Sequence, residues 1–214
     1  MHQTVKNLIS IKKELELISD KIPSIIAVSK TFPMSNILPL IEHGHIDFGE
    51  NKVQEALEKW NEIKKKFSQV KLHMVGKLQS NKVKFVLPLF DFIHSLDNEK
   101  LAQKIADEQK KYKKKPKIFI QVNIGNENQK SGIDKNEVGK LVSYSEEIGL
   151  NVIGLMCIPP LNSDPEGYFV EMNNLNKDLG LAELSMGMSS DYLIAAKNFS
   201  TYVRVGSSIF GQRS

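Results

Sequence analysis

The chain has 214 residues, 41% of them hydrophobic and 25% charged, which suits one soluble domain with a sizeable core. Its one cysteine, Cys157, excludes a disulfide framework and a cysteine metal site, and with no secretory leader or long apolar span the cytoplasm is the expected compartment. The net charge of +4 rests largely on two lysine clusters, Lys64-Lys65-Lys66 and Lys110 to Lys117, which read as solvated helix ends, so neither nucleic acid nor membrane is an expected partner.

Val5, Leu8, Ile9, Leu15, Ile18 and Ile22 recur at helical spacing, so residues 4–22 read as an amphipathic helix and residues 1–22 as a flanking segment. Ile25 to Val28 are a short apolar run rich in β-branched residues, expected as a buried strand. Lys30 and Pro33 end it. Residues 36–43 read as a helix stopped by Gly44, although Pro39 conflicts with a helix outside its first turn. Further strands are expected at 46–51, 72–76, 91–95, 117–123, 151–158, 182–186 and 202–205. Helices are expected between them at 53–67, 81–87, 99–112, 135–148, 164–179 and 191–198. Strands alternating with helices imply a parallel sheet with right-handed crossovers. Eight such units without a Gly-x-Gly-x-x-Gly turn favour an α/β fold of the closed (β/α)8 TIM-barrel type over a doubly wound sheet. Ser214 falls just after the eighth unit, so one barrel domain is expected across residues 1–214.

In such barrels the chemistry collects at the carboxyl ends of the strands. The residues expected there are Lys30, Asn51, His73, Ser95, Asn123, Met156, Met188 to Ser190 and Arg204 to Ser207. Burial disfavours an ammonium, and a neutral lysine amine is the nucleophile that makes Schiff bases, which gives Lys30 a chemical purpose. Gly187 and Gly206-Ser207-Ser208 follow the seventh and eighth strands, where barrels bind phosphate. Ser190-Asp191 precedes a helix whose first N–H groups could face an anion, with the Asp191 carboxylate as a competitor for them. A reactive lysine opposite a phosphate grip suggests a phosphorylated aldehyde or ketone. Both sugar-phosphate lysine aldolases and pyridoxal phosphate proteins use that pair.

Lysine on the first strand with arginine on the eighth resembles the barrel of the alanine-racemase type. Six segments carry a closer likeness: Ala27 to Thr31, Phe48 to Asn51, Val75 to Lys82, Gly154 to Pro160, Leu184 to Ser189 and Val203 to Gly211. In that order they are similar to the motifs of the pyridoxal phosphate homeostasis protein family. The resemblance implies a fold-type III barrel without the racemases' β-rich second domain. It implies a covalent aldimine between Lys30 and pyridoxal 5'-phosphate, with Arg204 facing the pyridine nitrogen. Ser189 or Ser190, Thr201 and the backbone at Gly206 and Ser207 would hold the phosphate, and Asn51, His73 and Met188 would line the ring. Lys130 corresponds to the family's lysine after the fifth strand, a candidate for a second cofactor site. Phe32 stands where many members carry a second lysine, Phe199 where they have glycine, Leu72 where an aromatic is common, and Lys52 where tyrosine or arginine is common.

The implied function is cofactor binding without turnover: buffering pyridoxal phosphate or handing it to apo-enzymes, with effects on amino-acid and keto-acid balance. Racemisation needs an acid–base group on each face of the substrate carbon, and the racemases' opposite tyrosine comes from the domain absent here. An arginine at the pyridine nitrogen also weakens the ring as an electron sink. The alternatives are a weak amino-acid racemase or related lyase and, more remotely, a sugar-phosphate aldolase. No residue from a second subunit is required, so a monomer is expected.

Overall fold

The computed structural model describes residues 1–127, 131–161 and 163–212. Strands β1 (Ser24–Val28), β2 (Asp47–Glu50), β3 (Lys71–Met74), β4 (Phe92–Leu96), β5 (Lys117–Val122), β6 (Asn151–Cys157), β7 (Glu183–Met188) and β8 (Tyr202–Val205) form a closed barrel in chain order. Every neighbouring pair is parallel, and β8 closes on β1 with Ile26 paired to Arg204. The eight-unit expectation from sequence holds.

Helices α1 (Gln3–Glu16), α2 (Met34–Glu42), α3 (Val53–Lys66), α4 (Val83–Leu89), α5 (Glu99–Tyr112), α6 (Val138–Glu147), α7 (Glu166–Asp178), α8 (Tyr192–Lys197) and the short α9 (Ser207–Phe210) complete the architecture. The first helix stops well short of residue 22. Val5, Leu8, Ile11 and Leu15 form its buried stripe, while Leu17 is exposed and Ile18 packs on the core only after the chain has turned toward β1. Pro39 is the sixth residue of α2 and removes one backbone hydrogen bond. The helix survives because Ile37, Leu40 and Ile41 are buried on one face.

The core has two parts. A large cluster fills the space between strands and helices, with Trp60, Phe48, Phe90 and Phe169 among its fully buried members. A small separate cluster of Phe92, Phe119 and Met156 lies apart from it, with Ile153, Ile158 and Tyr202 packed against it. These residues come from strands around the barrel, and they share its interior with His73, His94, Ser185 and Arg204, all buried. No described helix is long and apolar enough to cross a membrane.

Candidate cofactor site

A cavity of about 470 Å³ opens where the chain leaves β1, β2, β7 and β8. Lys30, Asn51, Met188, Ser189, Ser190, Arg204, Gly206 and Ser207 all line it, so eight of the ten residues expected at the site are brought together. Residue 30 and residue 206 share one rim.

Lys30 is held by its surroundings from below. The chain turns sharply after it, with Thr31 at φ 68°, a left-handed conformation that costs a β-branched residue about 1–2 kcal/mol. Helix α3 holds that turn. The Thr31 N–H donates to Glu55 Oε1, and Lys59 Nζ donates to the carbonyls of Ser29 at 2.8 Å and Phe32 at 3.4 Å. Lys59 also pairs with Glu55 and with the buried Glu50, each at 2.8 Å. Glu50 Oε1 accepts further bonds from Ser29 Oγ at 2.7 Å and Trp60 Nε1 at 3.0 Å. Positions 55 and 59 lie one helical turn apart, so they reach the turn together.

Asn51 is placed by a close approach. A Cβ on Gly76 would lie 2.3 Å from the Asn51 carbonyl oxygen, so only glycine lets the two backbones meet there.

Opposite Lys30, the backbone offers donors. The N–H groups of Gly206 and Ser208 both point to Ser189 Oγ, at 3.2 and 3.4 Å. The β7 end is shaped by Gly187 at φ 92°, where a Cβ would lie 2.6 Å from that of Ala195. Asp191 spends its carboxylate on the Met188 N–H at 2.6 Å, and makes no side-chain cap on α8. The competition for that helix's first amides expected from sequence does not occur.

Arg204 lines the cavity from the barrel interior. Its Nη1 donates to Ser185 Oγ at 2.7 Å and its Nη2 to the Cys157 carbonyl at 2.8 Å. Burial pulls its pKa down, but a guanidinium stays charged. Burial also pushes the Cys157 thiol up to about 12, which leaves it inert as a nucleophile.

Two expected site residues lie elsewhere. Thr201 immediately precedes β8, at the amino end of the barrel, where its Oγ1 accepts the Leu184 N–H at 2.7 Å and its carbonyl receives the Ser24 N–H at 2.8 Å. It faces a different hollow, beside Lys21, Pro23 and Phe199. Strand β8 separates it from Gly206, so it cannot grip the same anion. His73 is the third residue of β3, fully buried, with its ring stacked on Phe92 at 4.1 Å. It does not line the cavity. Ser95 and Met156 are likewise buried within the barrel wall and interior, while Asn123 lines an adjoining hollow with Lys77 and Gln121. Lys130 lies outside the described residues.

The sequence reading missed the apolar wall, made by Val28, Phe32, Val75 and Ile158, in which Phe32 stacks on Phe210 at 4.9 Å. It also missed the support from α3. Glu55 and Lys59 one turn apart, immediately after the Glu50-Asn51 strand end, were the available signal.

A barrel with lysine at the first strand and arginine at the eighth defines the alanine-racemase class, and the family model for the alanine racemase N-terminal domain matches residues 7–214. The pyridoxal phosphate homeostasis protein of Pasteurella multocida is 38% identical over 200 residues, covering 88% of this chain and 86% of that protein. PipY of Synechococcus elongatus, solved with pyridoxal phosphate bound, superposes with a TM-score of 0.89 at 31% identity, covering 98% of this chain and all of that one. An alanine racemase of Clostridium difficile shares the fold, with a TM-score of 0.76 at 14% identity; this chain covers 57% of it. The chain belongs to the pyridoxal phosphate homeostasis protein family.

Proposed function

We propose that the cavity holds pyridoxal 5'-phosphate through Lys30 Nζ, and that the chain buffers or hands on this cofactor without catalytic turnover. One observation carries the reading: a lysine amine, a buried guanidinium and converging backbone N–H donors line a single cavity of about 470 Å³, within the usual range for small-molecule sites. The set fits the cofactor group by group. Gly206, Ser207 and Ser208 with Ser189 and Ser190 suit its phosphate, Arg204 its ring nitrogen, and Lys30 its aldehyde, with water as the leaving molecule. Val28, Val75 and Ile158 supply apolar contact for the ring, with Asn51 and Met188 beside them.

When bound, pyridoxal phosphate supplies an aldehyde that condenses with amines and a ring that draws electrons from them. The cavity withholds what turnover would need. Among the described residues that line it, Lys30 and Arg204 are the only ionisable side chains, and a guanidinium does not shuttle protons. One face of a bound amino acid would lack an acid–base partner. The buried free thiol of Cys157 suits a reducing, cytoplasmic setting. Apo-enzymes that require the cofactor are the recipients this reading implies.

The test is an absorbance spectrum. Purified protein mixed with pyridoxal phosphate should gain a visible band that borohydride abolishes while fixing the cofactor to the chain, and Lys30→Ala should show neither. A wild-type protein that stays colourless would overturn the reading. Loss of α-deuterium from amino acids at rates well above free cofactor would replace it with a racemase or lyase.

A further inference from the structure

Arg204 is the near end of a hydrogen-bond chain that crosses the barrel interior. Beyond its bond to Ser185, Ser185 Oγ lies 2.9 Å from His94 Nδ1 and His94 Nε2 lies 3.0 Å from His73 Nδ1. His73 Nε2 then lies 3.0 Å from Asp47 Oδ1. Ser185, His94 and His73 are completely buried, whereas the Asp47 side chain is 15% exposed in a hollow at the amino end, beside Ser24 and His45. The chain therefore links the cavity to the opposite face of the barrel.

Its hydrogens can be placed by elimination. A carboxylate has none to give, so His73 Nε2 donates to Asp47. A neutral imidazole has only one N–H, so His73 Nδ1 accepts, and His94 must donate from Nε2. His94 Nδ1 is then an acceptor, filled by the Ser185 hydroxyl, whose oxygen in turn receives Arg204. In these four bonds every hydrogen points from Arg204 toward Asp47. Burial lowers the pKa of His73 against the opposing pull of Asp47, and lowers that of His94 further with Arg204 beside it, which favours the neutral form of both imidazoles. Flat stacking of His73 on Phe92 at 4.1 Å and of His94 on Phe119 at 4.3 Å fixes the two ring planes.

We propose that Asp47, His73, His94 and Ser185 are positioning residues that aim Arg204 into the cavity, so that a change at the amino end of the barrel is felt at the cofactor ring. The aiming follows from the single order of hydrogens. With its own hydrogen committed to His94, Ser185 Oγ has its orientation fixed, and with it the directions of the lone pairs that can receive Arg204. If His94 carried its hydrogen on Nδ1, Ser185 would receive two donors and its hydroxyl hydrogen would lose its partner. The functional half of this proposal rests on the cavity being the pyridoxal phosphate site; the hydrogen order does not.

Nitrogen-15 NMR of the imidazoles, on wild-type protein without cofactor near neutral pH, reads the order directly. Both His73 and His94 should carry hydrogen on Nε2 and none on Nδ1. Hydrogen on Nδ1 of either ring overturns the chain, whatever the cofactor does. The second arm is cofactor titration. Asp47→Leu removes the terminal acceptor without touching the cavity, and should weaken pyridoxal phosphate binding about tenfold and shift the bound cofactor's absorbance maximum. Asp47→Asn, which keeps an acceptor oxygen, should restore most of the affinity. Ser185→Ala should reproduce the Asp47→Leu effect from the other end, and it decides this arm if Asp47→Leu does not fold. Wild-type affinity and spectrum in the folded variants would overturn the positioning role. Failure of the wild type to bind cofactor would instead overturn the cavity reading, with the NMR result standing apart.

Discussion

Lys59 Nζ lies 2.8 Å from the carbonyl oxygen of Ser29, one residue before the lysine of the cavity. The same ammonium neutralises Glu50, whose side chain is fully buried. Removing one partner of a buried pair leaves the other charge uncompensated, which costs far more than the pair itself contributes.

Lys59→Met should therefore lower stability by about 3 kcal/mol, seen as a lower urea midpoint with an unchanged slope. The turn at Thr31 loses its clamp in the same step, so affinity for pyridoxal phosphate should fall as well. A midpoint equal to that of the wild type would show that the Lys30 turn holds itself.

Two motif glycines should behave in opposite ways. Gly76→Ala sets a methyl 2.3 Å from backbone oxygen, and overpacking of this kind costs about 2 kcal/mol. It should also displace Asn51. A Cβ on Gly206 would meet its nearest atom at 3.4 Å, an ordinary contact, with φ at −114°. Gly206→Ala should leave stability within about 0.5 kcal/mol of wild type. Thermal melts of the cofactor-free variants check both.

Phe199 stands at φ 69°, is 64% exposed, and has Lys177 Nζ 4.9 Å from its ring centroid. It keeps the left-handed backbone that glycine takes without strain, and it does so at the amino end of β8, away from the cavity. Phe199→Gly should raise stability by about 0.5–1 kcal/mol and leave cofactor affinity unchanged. A lowered melting temperature would mean that the Lys177 contact outweighs the strain.

Acid should destabilise the fold early. Burial lowers His45 from 6.5 to about 4, against the opposing pull of Asp47, and also lowers His73 and His94. The unfolded chain binds protons on these groups as the pH falls below 6.5, while the folded chain resists. Their contribution is complete above 6.5 and shrinks as the pH falls below it, for His45 down to about 4, by about 1.4 kcal/mol per pH unit for each histidine that titrates only on unfolding. Asp47 adds to the loss at still lower pH. For this carboxyl burial alone would raise the pKa, but the hydrogen bond from His73 and the nearby charge of Lys71 hold it below its usual value. Urea unfolding across pH 7 to 5 should show falling midpoints, and proton uptake on unfolding at pH 5 should exceed one. A flat profile would exclude neutral buried imidazoles.

How far the sequence reached depends on what each residue answers to. Runs such as Ile25 to Val28 and Lys117 to Val122 reveal strands because burial on both faces demands continuous apolar, β-branched residues. Lys30, Asn51, Ser189 and Arg204 were legible because parallel strands send their carboxyl ends to one rim. Thr201 misled because nearness in sequence is not nearness in space: the steps from Thr201 to Gly206 through β8 span about 16 Å. His73 misled because β3 ends at Met74, which places position 73 inside the barrel. The partners of His94 come from strands 21 and 91 residues away, and pairings of that kind leave no local pattern. The lysine clusters also proved partly structural, since Lys64 and Lys114 both pair with Asp91.

Strands β1 and β8 are neighbours in the barrel but stand at the two ends of the sheet's order along the chain, and the cavity needs the loops that leave both of them. Asn7 on α1, bonded to the Ile209 carbonyl of α9 at 2.8 Å, fastens the same seam. On the reading proposed above, a ligand in this cavity would touch the loops that leave both strands, and binding would therefore favour the closed ring over any form in which that seam is parted.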